Sequence, residues 1–433
     1  MLTVAFFGAL FGPEGAFLKL PAIPPLDKTN FPYVVLFAVA LIKWRGALRR
    51  GHAGRGVDLI LLISVVAGFV TWQTNLDGLR YGTWRITTIE SLTFNDGLQY
   101  GFDEVLSVGF PFILGRTLFR RRRDLLDLMH FLVVATLVQS VLLLVELRMS
   151  PVWHMWIYGY GAHSDFLQTI RWGGYRPMNF MAHGLALALF VCVGLLAAVV
   201  LAKIGVPIRK RWSPKRVAIG LTFALVLCKS TGALIYGVLL IPLLVKVAPE
   251  KQVRFAVVVA WLVALYPALR AFDVVPADEL VQTAEDLFGE DRAQSLAFRF
   301  DNEEMLLDKA RERLWFGWGG HGRSAVYDDE MGKENSVADG HWIIVLGLRG
   351  VVGMFTAFSF LLLPLFVVKR RITLFADPDD RRLVAGLAVI CATVTLDLIP
   401  NGLFASYPYL LAGALFGVLQ EVKKRDSEWR QVG

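Results

Sequence analysis

Apolar runs long enough to cross a bilayer recur from one end of this chain to the other, and this recurrence restricts the fold more than any single motif. About 30 Å of hydrocarbon requires roughly 17 to 25 helical residues. Runs approaching or reaching that length cover Leu2 to Leu20, Phe31 to Trp44, Val57 to Trp72, Leu98 to Phe119, Leu125 to Leu147 and Met178 to Ala202. They continue over Arg216 to Lys229, Thr231 to Val247, Val253 to Ala271, Gly340 to Val368, Leu383 to Ile399 and Leu403 to Val422. In hydrocarbon a backbone must satisfy its own hydrogen bonds, and runs of this kind do so as helices rather than as barrel strands. A hydrophobic fraction of 55% over 433 residues and a mean hydropathy of +0.52 agree with that pattern. The expected fold is an all-α polytopic membrane protein of about twelve transmembrane helices. Gly12-Pro13 interrupts the first run, and Met1 to Phe11 lack the basic region and small-residue site of a cleaved leader.

The net charge of +8 would point to nucleic acid in a soluble domain. Here the basic residues fall in short connections between apolar runs, where they report topology instead, so no nucleic-acid partner is expected. The basic connections carry Lys43 to Arg55, Arg120 to Arg123, Lys203 to Arg216 with Arg209 to Arg211, Lys246 to Arg254, Lys369 to Arg382 and Lys423 to Arg425. They alternate with less basic connections, which places both termini in the cytoplasm and the segments Asn75 to Gln99, Met149 to Pro177 and Phe272 to Asp339 outside. Three regions follow: 1–271 with nine spans, 272–339 as a long outer loop with amphipathic helices, and 340–433 with three spans and a tail. Within the loop, Leu296, Met305 and Leu306 form an apolar stripe over Ala293 to Trp315. Cys192, Cys228 and Cys391 lie in apolar runs and read as core residues.

Candidate chemistry gathers at the outer ends of the runs. Arg176 precedes the sixth, and a guanidinium at headgroup level suits a diphosphate because its planar fork donates two hydrogen bonds and keeps its charge. Lys229 stands in a tight outer turn; Lys229-Ser230-Thr231-Gly232 lacks the glycines of a phosphate-binding loop, but the ammonium can neutralise a lipid phosphate. Arg349 lies about nine residues into the tenth run and requires a counter-charge, for which Asp397 and Glu104 are candidates. Asp339 and His341, where the loop re-enters the membrane, can each accept a proton. Trp153, Trp156, Tyr158, Tyr160, Phe166, Trp172 and Tyr175 form either an interfacial belt or stacking platforms for sugar rings. The chain holds no H-E-x-x-H, Cys-x-x-Cys, Gly-x-Ser-x-Gly or dinucleotide fingerprint, and no cofactor or metal is expected.

The order of these motifs resembles that of the O-antigen ligase and O-antigen polymerase superfamily. Arg176-Pro177 followed by His183-Gly184 is similar to the family's Arg-Pro…His-Pro/Gly element. Leu314-Trp315-Phe316-Gly317-Trp318-Gly319 is similar to its Pro-Leu-x-Gly-x-Gly turn, with Arg299 upstream where the family has an arginine, and Gly350-Val351-Val352-Gly353 resembles its Gly-x-x-Gly. Counting back from those glycines, the family's catalytic histidine falls on Asp339, two positions before His341. Its mid-span Ser-Arg-Gly is here Ser230-Thr231-Gly232. The resemblance implies a GT-C-like architecture and a metal-independent, inverting glycosyltransferase at the periplasmic face of a bacterial inner membrane. Its donor would be a polyprenyl-diphosphate-linked oligosaccharide and its acceptor a growing glycan or lipid A core, among membrane lipids and polysaccharide assembly proteins. Arg176, Arg299, Lys229, Arg323 and Arg349 would bind the diphosphate, and Asp339 or His341 would act as base. A lipid-linked glycan transporter is the reading from another class, set against the absence of repeated halves and of a midplane acid pair.

Overall fold

In the computed structural model, residues 1–20, 23–46, 48, 55–163, 166–208, 212–402 and 405–432 are described. Arg49, Arg50, Arg209 to Arg211 and the start of the twelfth run at Leu403 lie outside them, as do the side chains of Arg55, Arg292 and the Lys424 to Arg425 tail. The chain is 70% helical, and the described residues form no closed sheet. Sixteen α-helices are named here in chain order. The first seven are α1 (Leu2–Phe11), α2 (Phe31–Lys43), α3 (Arg55–Gln73), α4 (Phe94–Glu104), α5 (Phe110–Leu118), α6 (Arg122–Met149) and α7 (Trp153–Tyr158). The rest are α8 (Gly184–Lys203), α9 (Pro214–Leu227), α10 (Thr231–Lys246), α11 (Pro249–Ala271), α12 (Ala277–Phe288), α13 (Glu290–Arg311), α14 (His341–Arg371), α15 (Pro378–Asp397) and α16 (Tyr407–Val432). Three antiparallel two-stranded ribbons lie in the connections.

Among the described residues, five segments are long and apolar enough to cross a membrane: Gly56–Gln73, Arg122–Met149, Gly184–Lys203, Pro249–Ala271 and His341–Leu374. Three shorter apolar helices, α1, α2 and α10, pack among them. The outer surface of this bundle is apolar at helical spacing, with Leu59, Leu62 and Val66 on α3, Val138, Val141 and Leu144 on α6, and Val258, Leu262 and Leu265 on α11 all exposed. A bundle that buries Leu and Ala inside and still presents Leu and Val outside belongs in lipid. The architecture is that of an all-α membrane protein.

Several spans are shorter than expected, for local reasons. The first helix stops at Phe11, where Gly12 turns to an extended conformation and Pro13 follows, and the chain continues into a hairpin of Phe17–Leu20 against Ile23–Asp27. The fourth is divided by a π-helical segment, Val105–Gly109, placed before Pro111. The sixth begins only at Gly184, because residues 177–183 run through the interior as irregular chain. Close approach is supported by small residues: a Cβ on Gly115, Gly413 or Gly417 would fall within 2.4 Å of a carbonyl oxygen on the facing helix, so α5 and α16 pack backbone to backbone.

The tenth span is broken in the middle. Gly350 has φ +64° and ψ −168°, and α14 is two half-helices joined there. An unbroken helix of 31 residues would be about 46 Å long, well beyond the hydrocarbon, whereas the part after Gly350 is about 31 Å. The backbone groups freed by the break are bonded by the Leu314 to Gly319 turn. Trp318 N donates to Gly347 O at 2.8 Å, Gly319 N to Leu348 O at 2.9 Å, Val351 N to Leu314 O at 2.8 Å and Val352 N to Trp315 O at 3.2 Å. The two glycine-bearing motifs thus interlock, and irregular backbone is tolerated here because protein surrounds it.

Charged residues mark the two ends of the bundle. At one end Arg122 pairs with Asp377 at 2.8 Å, Arg120 with Glu421 at 2.7 Å and Arg381 with Glu250 at 3.6 Å, tying together α6, α15, α16 and α11. The other end carries the three ribbons, α7, α12 and α13.

Candidate functional site

Arg176 is held by the irregular segment before α8, and α6 positions that segment. The Glu146 carboxylate, fully buried, accepts Met178 N at 2.8 Å, Asn179 N at 2.7 Å and Trp153 N at 3.1 Å. Asn179, at φ +53°, donates its side-chain amide to Gln139 Oε1 at 2.6 Å and Gln139 O at 3.0 Å. Lys28 donates to Phe180 O at 2.9 Å. A buried acid used in this way substitutes for the missing helical hydrogen bonds of residues 178–179. Arg176 itself is 6% exposed, and its guanidinium donates to Lys229 O at 3.3 Å. Gly184 leaves room for the Arg176 stem, since a Cβ there would stand 2.6 Å from Arg176 Cδ.

Lys229 occupies the turn between α9 and α10 at φ +50°, and its ammonium donates to Arg171 O at 3.0 Å. His183 caps α8 by accepting Leu185 N on Nδ1 at 3.1 Å. It lies within electrostatic reach of Arg176, His163, Arg171 and Arg299. Burial, reinforced by those cations, depresses its pKa to about 4, so the ring is neutral at pH 7.

Arg299 reaches this group from α13, whose seat is built from one face of the helix. Leu306, Leu307 and Ala310 are buried, which matches the expected stripe at Leu306 while Leu296 and Met305 remain partly exposed. One turn beyond Arg299, Glu303 accepts Tyr266 Oη at 3.0 Å, Arg270 Nε at 3.2 Å and Trp342 Nε1 at 3.4 Å, joining α13 to α11 and α14. Its pKa is raised, with burial the largest cause. Asn302 accepts Val337 N at 2.6 Å and fixes the chain entering α14. Arg299 Nε then meets Asp339 Oδ2 at 3.3 Å, with both side chains about one-third exposed. Arg299 also acts on Asp397, whose carboxylate lies beside Tyr236 and Asn401.

The sequence candidates therefore separate into two sets. Arg176 and Arg299 come together around His183, with Lys229 bonded to Arg176 through its carbonyl and Asp339 paired with Arg299. Arg323 and Arg349 do not join them. Arg323 is fully buried and donates to Trp318 O at 3.2 Å, Asp77 O at 2.9 Å, Glu90 O at 2.8 Å and Asn75 Oδ1 at 3.4 Å, an arrangement that secures a loop and leaves little for a ligand. Arg349 pairs with Asp103 and Glu104 of α4, so its counter-charge is Glu104 and not Asp397. His341 is 7% exposed; its amide donates to Leu398 O at 2.9 Å and its ring faces Phe358 at 6.0 Å between centroids.

Of the residues grouped at the site, Arg171, Tyr236 and Asn401 have no place in the sequence reading, and Asp397 enters it only as a candidate partner of Arg349. His183 had a signal in the Arg-Pro…His-Gly spacing; Asp397 had one in its place at an outer helix end. Of the outer aromatics, Trp153 is bonded into α6 through Leu142 O at 2.9 Å, whereas Trp156, Phe166 and Trp172 are more than half exposed. Among the described residues no group of three or more His, Cys, Asp or Glu side chains is arranged to hold a metal. No protein-family model and no curated protein matches this sequence.

Proposed function

We propose that the chain is a membrane glycosyltransferase that moves a glycan from a polyprenyl diphosphate to a sugar hydroxyl. The observation that carries this reading is the convergence of Arg171, Arg176 and Arg299, from two separated stretches of sequence, on one neutral histidine at one end of the bundle, with Lys229 of a third stretch bonded to the first two. Like charges gathered at a membrane boundary repel one another unless an anion joins them, and a lipid diphosphate brings two or more negative charges to that depth.

In this mechanism the guanidinium groups of Arg176 and Arg299 bind the diphosphate and stabilise the charge that grows on it as the glycosidic C–O bond breaks. Asp339 orients Arg299 through their ion pair. His183, neutral, bonds to the α8 backbone and adds no further charge. The cations take the part that a divalent ion plays in other transferases, which makes the reaction metal-independent. A hydroxyl attacking from the face opposite the leaving diphosphate inverts the anomeric carbon. The cluster lies at the periplasmic face of a bacterial inner membrane, with both termini cytoplasmic and a GT-C-like arrangement of about twelve crossings. The acceptor is a second lipid-linked repeat, so the product is a longer exopolysaccharide or O-antigen chain.

The test is transfer by purified protein in liposomes containing the lipid-diphosphate-linked oligosaccharide of the producing cells, with products sized on a gel. Ladder formation is expected, and Arg176→Ala and Arg299→Ala should each abolish it while inserting normally. Single addition to lipid A core would make the enzyme a ligase. Movement of the lipid between leaflets without a new glycosidic bond would refute the transferase reading in favour of a transporter.

A further inference from the structure

A cavity of about 230 Å³ lies where α1, α8, α15 and α16 meet. Its walls include Leu10 and Phe190, the hydroxyl-bearing Thr29, the Lys28 and Glu14 pair and Asp397. Ala182 and Ala186, which flank His183 in sequence, also line it, so it runs beside the first turn of α8 and adjoins the cation cluster. Small-molecule sites for drug-sized ligands are roughly 300–1,000 Å³, so this one suits a single sugar ring rather than an oligosaccharide. Mixed apolar and polar walls match such a ring, which has an apolar face and hydroxyls at its edge.

The polar groups of the cavity are in different states of use. Lys28 is nearly buried and committed to Glu14 at 2.5 Å and to Phe180 O at 2.9 Å. Asp397 turns a carboxylate with about four acceptor sites to the cavity, beside Tyr236 and Asn401. The same residue is a wall of the cavity and lies in the field of Arg299. Asp339, by contrast, is engaged with Arg299 and open to solvent, and His341 is buried with its ring 6.0 Å from that of Phe358.

We infer that this cavity receives the acceptor sugar and that Asp397 is the catalytic base of the transfer. The inference rests on the transferase reading above. The acceptor O–H gives its proton to the Asp397 carboxylate while its oxygen forms the bond to the anomeric carbon. The bond from that carbon to the phosphate oxygen breaks, and the diphosphate departs with the electron pair onto Arg176 and Arg299.

Two variants test it, in liposomes containing the lipid-linked oligosaccharide as both donor and acceptor, with binding of sugar-free polyprenyl diphosphate measured in parallel. Asp397→Asn keeps shape and removes basicity; transfer should fall at least 100-fold, within the range of general-base contributions, while polyprenyl diphosphate binds within threefold of wild type. Ala186→Phe fills the cavity and should raise the acceptor KM at least tenfold with the same binding retained. Transfer by Asp397→Asn within threefold of wild type overturns the assignment, and so does loss of polyprenyl diphosphate binding in that variant, which would place Asp397 in the donor clamp. If Asp397→Asn does not insert, Ala186→Phe decides: an unchanged acceptor KM overturns the assignment. Absence of transfer by the wild-type protein removes the transferase reading and this assignment together, whereas the outcomes above concern the cavity alone.

Discussion

Replacing Gly184 by alanine should disable the donor site without touching a charged residue. A Cβ at that position would lie 2.6 Å from Arg176 Cδ, 2.7 Å from Arg176 Cγ and 2.9 Å from Pro177 O. Ordinary contact begins near 3.4 Å, so the Arg176 stem must retreat by about 0.8 Å. The helix has no reason to move instead, because α8 is buried along most of its length and its cap is fixed by His183. Displacement of a positioning group by about 1 Å lowers rate by on the order of 100-fold, roughly 3 kcal/mol of transition-state stabilisation. The assay is a double-mutant cycle in the liposome system with Gly184→Ala, Arg176→Lys and the pair. The two effects should be strongly non-additive, since both act through one side chain. Unchanged transfer by Gly184→Ala, or an additive pair, would show that the stem is not set by this contact.

Other consequences can be measured independently. Arg323→Met should lower thermal stability by about 3 kcal/mol, because it leaves Asp77 O and Glu90 O without donors, and the fraction that remains folded should bind polyprenyl diphosphate normally. Gly350→Ala places a side chain 2.3 Å from Trp315 C at a positive φ, and should reduce the yield of folded protein from membranes severely, a loss of about 3 kcal/mol or more. His183 has a depressed folded pKa of about 4 against an ordinary 6.5, so the unfolded chain takes up its proton first. Its contribution is therefore present above about 6.5 and is lost as pH falls toward about 4, and melting curves of wild type and His183→Gln should converge over that window. Transfer should persist in a chelator, since protein cations meet the developing charge; activity lost on chelation and restored by a divalent ion would count against the mechanism.

Helical class and membrane character were readable in the sequence because both depend on the length and content of apolar runs. Where the reading missed, backbone geometry was responsible. Hydropathy extends the sixth span back to Met178, but Pro177 and the positive φ of Asn179 keep that stretch irregular, and the acid that makes this possible, Glu146, sits thirty residues earlier in a different helix. Long-range pairing of this kind has no periodicity to detect. Arg349 was expected to need a counter-charge, and it has one in Glu104. Arg323 was placed among the diphosphate-binding residues with the resemblance, whereas here the carbonyls of its own turn and of a distant connection surround it. Arg299 stands out by the resemblance of the turn that follows it, and Arg176, Lys229 and Asp339 by their places at the ends of apolar runs, a property visible in one dimension. Asp397 was visible in the same way, but its neighbour Tyr236 becomes apparent only once α10 lies beside α15.

The junction between the Trp315 to Gly319 turn and the break in α14 has a consequence for how this chain can vary. Gly317 and Gly350 each occupy a positive-φ conformation, and each would push a Cβ to within 2.6 Å of the other strand of the junction. Neither can acquire a side chain while its counterpart's surroundings stay as they are. Substitution at one should therefore be rescued only by remodelling the other, and a selection from paired random codons at the two positions should return glycine at both or at neither.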